Sequence, residues 1–374
     1  MYEKDRATNN ASWPMFKGGP SRTSYSRSAT GPTGDVSIKW TFDTPDGRIK
    51  SSPAVVGSTV YVGTNGSKLY AIDAEMGTKK WQYEAVGWIT SSPAVSNDRV
   101  YVGSWDHNIY ALDAEIGITE WRFTTQHQVR SSPVIVDDVL YVGSHDGCLY
   151  AIETETGTAK WISRAGGQIP SSPAVSDGIV YVGSCDSYVY ALNGSTGDLE
   201  WAFKTGGPVW SSPAVAEGTV YIGSYDSTLY ALDASTGDLE WTFETGDRIH
   251  SSPAVANGLV FVGSTDGYLY AVSAGGGDLR WRFGSDLLRD FSSDAPVSMG
   301  GDLSYVRSSP TVGNGTVYFG ADAGEDNLYA VDAATGGERW RFDASRMTSS
   351  PAISHNTIYI GTHGSSLYAL TDEK

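Results

Sequence analysis

The sequence predicts an all-β protein, an eight-bladed β-propeller made of four-stranded antiparallel blades. The triplet Ser-Ser-Pro begins at Ser51, Ser91, Ser131, Ser171, Ser211 and Ser251, always 40 residues apart, and returns at Ser308 and Ser349 after steps of 57 and 41. A fixed period of this length marks stacked units, none of which can bury its apolar face alone. Each period holds four short runs rich in Val, Tyr, Ile and Trp, separated by Gly, Asn and Asp, and no helical periodicity of useful length intervenes. Radial repetition of such four-stranded meanders makes a propeller. Counting the fourth strand closes the ring. Trp-x-Phe or its variant follows the first seven triplets, at Trp81, Trp121, Trp161, Trp201, Trp241, Trp281 and Trp340, but not the eighth, and the missing copy stands at Ile38–Phe42. The N-terminal strand is therefore expected to complete the last blade against Leu367–Leu370.

One repeat, taken in order, explains its own residue types. Ser91–Val95 is the innermost strand, where Pro93 suits an edge that faces the channel because it has no N–H to leave unpaired. The two serines are small where blades crowd toward the axis. Val100–Gly103 and Ile109–Leu112 supply the central strands. Gly117 and its equivalents sit where the turn into the outer strand calls for positive φ. Trp121 then offers a large apolar face to a neighbouring blade.

The run Ala231-Leu-Asp233-Ala-Ser-Thr236-Gly237-Asp-Leu-Glu-Trp241 resembles the Ala-x-Asp-x-x-Thr-Gly-x-x-x-Trp docking motif of quinoprotein propellers, with further good or partial copies beginning at Ala71, Ala111, Ala151, Ala191, Ala271 and Ala330. Glu153, Asn193 and Ser273 replace the Asp in three copies; Met76, Ile116 and Gly276 replace the Thr. The resemblance covers roughly residues 36–374 and implies the pyrroloquinoline quinone (PQQ)-like propeller superfamily. That superfamily includes quinone- and calcium-dependent alcohol dehydrogenases and non-catalytic scaffolds similar to BamB. The signatures of WD40 and kelch blades are absent. Trp13–Gly19, followed by Thr23–Ser26, resembles the segment that precedes the first blade in this superfamily, expected across one mouth or the outer rim. Residues 1–35 are read as a tail packed on the propeller of residues 36–374, with residues 1–12 expected to be disordered.

Composition narrows the partners. With 43 acidic against 26 basic residues the net charge is −17, which argues against nucleic acid or an anionic membrane as a general partner. Lysine is scarcer than arginine, and an acidic, lysine-poor surface fits a halophilic protein as well as an ordinary solvated one. No apolar run is long enough to span a membrane, and Met1–Asn10 is not a secretory signal. Family members of this kind are commonly exported, so an extracytoplasmic or cell-surface location is expected, with any leader absent from this chain and the cytoplasm left open. The working expectation is a monomer. Cys148 and Cys185 read as two small unpaired side chains rather than a disulfide.

The regular repeat is interrupted once, between Trp281 and Ser308, where seventeen extra residues include Asp286, Asp290, Asp294 and Asp302. This insertion can reach the channel mouth, as a lid or as decoration. The loop with Asp322, Glu325 and Asp326 is a weak candidate for metal and a better one for a solvated acidic turn.

Positions that vary between copies are where a specific site can be written. Three and one residues before each Ser-Ser-Pro stand pairs such as Arg48 and Lys50, Arg248 and His250, or Tyr305 and Arg307. The other pairs contribute Trp88, Arg130, Trp210 and Arg346, and none of these slots holds Asp or Glu. The hairpin after each Val-Tyr-Val-Gly opens on the same face and adds Trp105, His145 and Tyr225. The aspartates that follow, from Asp106 to Asp266, read as turn caps. This ring of cations and aromatics has two readings: inter-blade stapling, or a site for an anionic small molecule or a protein segment.

The function favoured is therefore a non-catalytic binding or scaffold propeller, with no catalytic residue and no cofactor assigned. The alternative is a dehydrogenase dependent on PQQ and calcium, since the carboxylates and planar ring of the quinone suit Arg and Trp. The chain departs from that enzyme pattern: the vicinal cysteine pair is missing, and no segment matches the calcium ligands or the catalytic Asp. An architectural domain of a larger surface protein is the third possibility.

Overall fold

Period-two alternation and short turns leave each repeat one stable arrangement, a twisted meander whose faces must be covered by its neighbours. The computed structural model describes residues 12–26, 30–284, 305–321 and 328–373, and within these the strands form eight sheets, each with four antiparallel strands from the repeat pattern. Residues 1–11 of the expected tail, the 285–303 insertion and the loop bearing Asp322, Glu325 and Asp326 lie outside the described residues. Blade two is typical: Ala94–Ser96, Arg99–Gly103, Asn108–Asp113 and Thr119–Thr124 lie side by side in chain order.

The ring closes as the strand count requires. Val36–Asp43 pairs antiparallel with Ser366–Asp372, setting Ile38 opposite Leu370 and Phe42 opposite Leu367. Trp40 then occupies the same place in blade eight that Trp121 holds in blade two, and its Nε1 donates to the Ala74 carbonyl of blade one at 3.0 Å.

Neighbouring blades are locked by the docking motif. Trp81 Nε1 donates to the Ala114 carbonyl of the next blade (3.0 Å), and Tyr61 Oη donates to the same oxygen (3.1 Å). Gly117 has φ of 73°, and a Cβ there would come within 2.6 Å of the Trp81 ring. Glycine is thus required twice over, by backbone conformation and by the indole laid against it. The motif aspartate caps the turn: Asp113 Oδ1 accepts from the N–H groups of Glu115 and Ile116.

The inner strands show what the serines do. The Ser52 N–H donates to Ser92 Oγ, the Ser92 N–H to Ser132 Oγ, and so on through every blade until the Ser350 N–H returns to Ser52 Oγ, all at 2.8–3.0 Å. Small size is only part of the reason for Ser-Ser-Pro. The second serine of each triplet satisfies a backbone donor that faces the channel in the preceding blade, and in blades one to five and eight the first accepts from the Gly N–H of the adjacent strand, as in Ser91 with Gly103.

Residues 13–26 wind around the axis at the opposite end of the channel. Carbonyls of Trp13, Pro14, Pro20, Ser21, Thr23 and Ser24 accept in turn from the inner-strand N–H groups of Val55, Val95, Val175, Val215, Val255 and Val312. Arg22, fully buried, donates instead to the carbonyls of Ser132 and Pro133 in blade three and of Pro173 in blade four. Lys17 donates to the Pro253 carbonyl. The sequence left these inner edges unpaired; in the structure the N-terminal segment caps them and makes the channel blind.

Candidate functional site

Depth along the inner strand follows residue order. The residue before Ser-Ser-Pro stands at the open mouth, the second serine forms the ring below it, and the plug lies beneath. The resulting cavity has a volume of about 250 Å³ and its floor is Phe16.

The two variable slots, taken together in the sequence reading, separate in space. Lys50, Arg130, Trp210, His250 and Arg307 line the cavity. Arg48, Trp88, Arg248, Tyr305 and Arg346 stand outside it on the exposed rim, Trp88 with 43% and Tyr305 with 41% of its surface accessible. The hairpin residues Trp105, His145 and Tyr225 stand behind Arg130 and Trp210 as a second layer.

Arg130 is the centre of this arrangement. Its guanidinium lies 5.3 Å from the ring centroid of Trp105 and 5.2 Å from that of Trp210. Two indoles within cation–π distance leave its N–H groups to meet a ligand. Among the described residues Arg130 has neither an ion pair nor a hydrogen bond, and burial lowers its pKa below the usual arginine value. Around it the rings continue: Trp210 stacks on Tyr225 (5.9 Å, 10° between planes) and on His250 (5.9 Å, 30°). Trp88 tilts against Trp105 at 4.5 Å, and Trp105 Nε1 donates to Thr90 Oγ1. Arg248 of the rim lies over Tyr225, and Arg307 of the cavity lies over Tyr305 of the rim.

The electrostatics run one way. Among the described residues no Asp or Glu lines the cavity, although the chain as a whole carries −17. Burial, then the charges of Arg307 and Arg130, push the His250 pKa down to about 4. Burial, Arg130 and His127 do the same for His145, also to about 4, and His145 Nε2 is buried without a hydrogen-bond partner. Both imidazoles are neutral at pH 7. Cys185, beside Arg130, is pushed up to about 11 by burial and by Asp186, so it stays a thiol; neither cysteine is in a disulfide. The hairpin aspartates are turn caps: Asp106 accepts from Tyr110 Oη and from the N–H groups of Val86 and Asn108.

A family model described as outer membrane protein assembly factor BamB matches residues 28–163, 121–212, 204–311 and 297–374. The chain belongs to that family. It is a PQQ-like propeller, and solved structures of similar fold span both branches of the superfamily. BamB from Moraxella catarrhalis is 17% identical with a TM-score of 0.74, covering 90% of this chain and 98% of that one. A europium-containing methanol dehydrogenase is 15% identical with a TM-score of 0.80, covering 97% and 98%. The quinohemoprotein alcohol dehydrogenase of Comamonas testosteroni is also 15% identical at 0.80, covering 98% of this chain and 81% of that one. Identities this low establish the fold alone. Among curated proteins, none matches the chain.

For a PQQ-like propeller the donor set decides whether quinone and calcium fit. Calcium takes six to eight oxygen ligands, usually with carboxylates among them. The described lining residues offer no carboxylate, and Lys50, Arg130 and Arg307 would repel the ion. Among the described residues no three His, Cys, Asp or Glu lie close enough to hold a metal. The carboxylates of the quinone suit the guanidinium edges; its calcium partner does not suit this mouth.

Sequence reasoning missed the serine ring, Phe16 and the two plug cations. The signal for the serines was present, in a triplet unchanged in all eight copies, but it was read as steric.

Proposed function

We propose that this chain is a non-catalytic binding propeller of the BamB family, whose open channel mouth holds an anionic group on a small molecule or on a protein segment. The observation that carries the reading is Arg130, a partly buried cation within cation–π distance of two indoles and with no counter-ion among the described residues. Burying an uncompensated charge costs several kcal/mol, and other copies of the same slot hold Thr90, Pro170 or Thr348, so the fold does not require it. A bound carboxylate supplies the missing charge through forked contacts. The PQQ-dependent dehydrogenase reading is weaker, because the calcium on which that chemistry depends meets no carboxylate among the described lining residues and three cations instead. An extracytoplasmic setting accords with a family described by outer-membrane assembly.

The test is titration of polycarboxylates and acidic peptides against Trp fluorescence, in wild type and in Arg130→Ala with Arg307→Ala. Two charge-assisted contacts at roughly 1.5–3 kcal/mol each correspond to a loss of about a hundredfold or more in affinity. Equal, weak binding by both proteins makes the ring inter-blade stapling instead. In parallel, alcohol-dependent dye reduction with added quinone and calcium is expected to stay at background; turnover abolished by chelation would restore the enzyme reading.

A further inference from the structure

The cavity's hydrogen-bonding character is lopsided. Each second serine, from Ser52 round to Ser350, is buried, accepts a backbone N–H from the preceding blade, and donates its own O–H to no described atom. A hydroxyl whose lone pair is engaged in this way offers chiefly its proton. The ring therefore turns eight donors toward the shaft. Above it, Lys50, Arg130 and Arg307 carry donors only.

Acceptors have been removed from below. The inner-strand carbonyls of Ser132, Pro133, Pro173 and Pro253 are engaged by Arg22 and Lys17 of the plug. With no carboxylate among the described lining residues, a ligand's own N–H or ammonium group finds little to donate to. The floor at Phe16 limits the occupant to a compact molecule or a single protruding group.

Resting on the binding role above, we infer that the shaft selects a compact oxyanion presenting acceptors on every side, of the short dicarboxylate or phosphate class, and rejects zwitterions and neutral sugars of the same size. An ammonium group would meet three cations and no carboxylate among the described lining residues. A neutral polyol would leave Arg130 without a counter-charge.

The experiment is isothermal titration of the full chain at constant ionic strength with succinate, inorganic phosphate, 4-aminobutyrate and a glutamate-rich peptide. Succinate and 4-aminobutyrate have similar length and differ in one end group, so their ratio reads the selectivity directly. Succinate or phosphate is expected to bind at least tenfold more tightly than 4-aminobutyrate. Ser92→Ala with Ser252→Ala, checked for native circular dichroism, is expected to weaken the oxyanion at least tenfold; the wild-type ratio stands as a test should this variant not fold. Equal binding of succinate and 4-aminobutyrate, or a folded serine variant with wild-type affinity, overturns the inference. If the peptide alone binds, and through Arg130, the mouth reading survives and the oxyanion shaft does not. If nothing binds, both fall.

Discussion

At the scale of single residues, Arg130 and His250 show a site whose charges the fold itself does not use. Two cation–π contacts contribute up to about 2 kcal/mol each when desolvated, against a burial cost of several kcal/mol for an unpaired ion. The two nearly cancel. Arg130→Met, which keeps an apolar body beside Trp105 and Trp210, is therefore expected to leave stability within about 1 kcal/mol of wild type while abolishing anion binding. A fall of several degrees in melting temperature would instead make Arg130 a structural staple. His250 gives a pH signature. Its pKa of about 4 lies below that of an unfolded histidine, so the unfolded chain takes up a proton that the folded one refuses. That contribution is fully present above pH 6.5 and is lost as pH falls toward 4, by roughly 1–3 kcal/mol. The slope of melting temperature between these pH values should flatten in His250→Phe. An unchanged slope would mean that burial and the charges of Arg307 and Arg130 do not hold the imidazole neutral.

At the scale of elements, closure and plug were unequally legible. The closing strand was legible because it is a displaced copy: Trp40 repeats Trp121, and a missing eighth Trp-x-Phe has only one place to go. Trp40→Ala is expected to cost about 3–5 kcal/mol, since the indole covers Gly77, contacts Tyr359 and reaches the Ala74 carbonyl. Deleting residues 1–43 should cost more, exposing the edge of blade eight and uncapping the inner strands. Melting of the truncated chain at the wild-type temperature would contradict both roles. The plug was legible only through its resemblance, which put it across one mouth or the outer rim; its conformation and hydrogen bonds were not. Residues 13–26 occur once and have no periodicity; their conformation is imposed by N–H groups that come together only after the ring has formed. The mouth was half legible for the same reason. Comparing repeats identified the variable slots, but residues two apart in sequence, such as Arg248 and His250, differ in depth, and only the assembled ring separates rim from cavity. An unvarying serine looked like filler because repetition hides function when every copy performs it.

At the scale of the whole molecule, charge is sorted. The net −17 lies outside a shaft that gathers Lys17, Arg22, Lys50, Arg130 and Arg307. Self-repulsion of the acidic surface opposes folding and is long-ranged in dilute buffer, but at molar salt the Debye length falls to about 3 Å and only contacts remain. If the surface is a high-salt adaptation, the melting temperature should rise by several degrees from about 0.05 M to about 2 M potassium chloride. Part of any rise could come from anions entering the shaft, and the two causes differ in form. Screening depends on ionic strength and not on which monovalent anion supplies it, and it leaves an Arg130→Ala, Arg307→Ala variant as salt-sensitive as wild type. Shaft binding saturates, ranks the anions and disappears in that variant. Potassium chloride and potassium acetate should therefore give the same large rise in both proteins, with only a small saturable excess in wild type. A flat melting temperature across the range would remove the halophilic reading, and a rise confined to wild type would assign the stabilisation to the shaft.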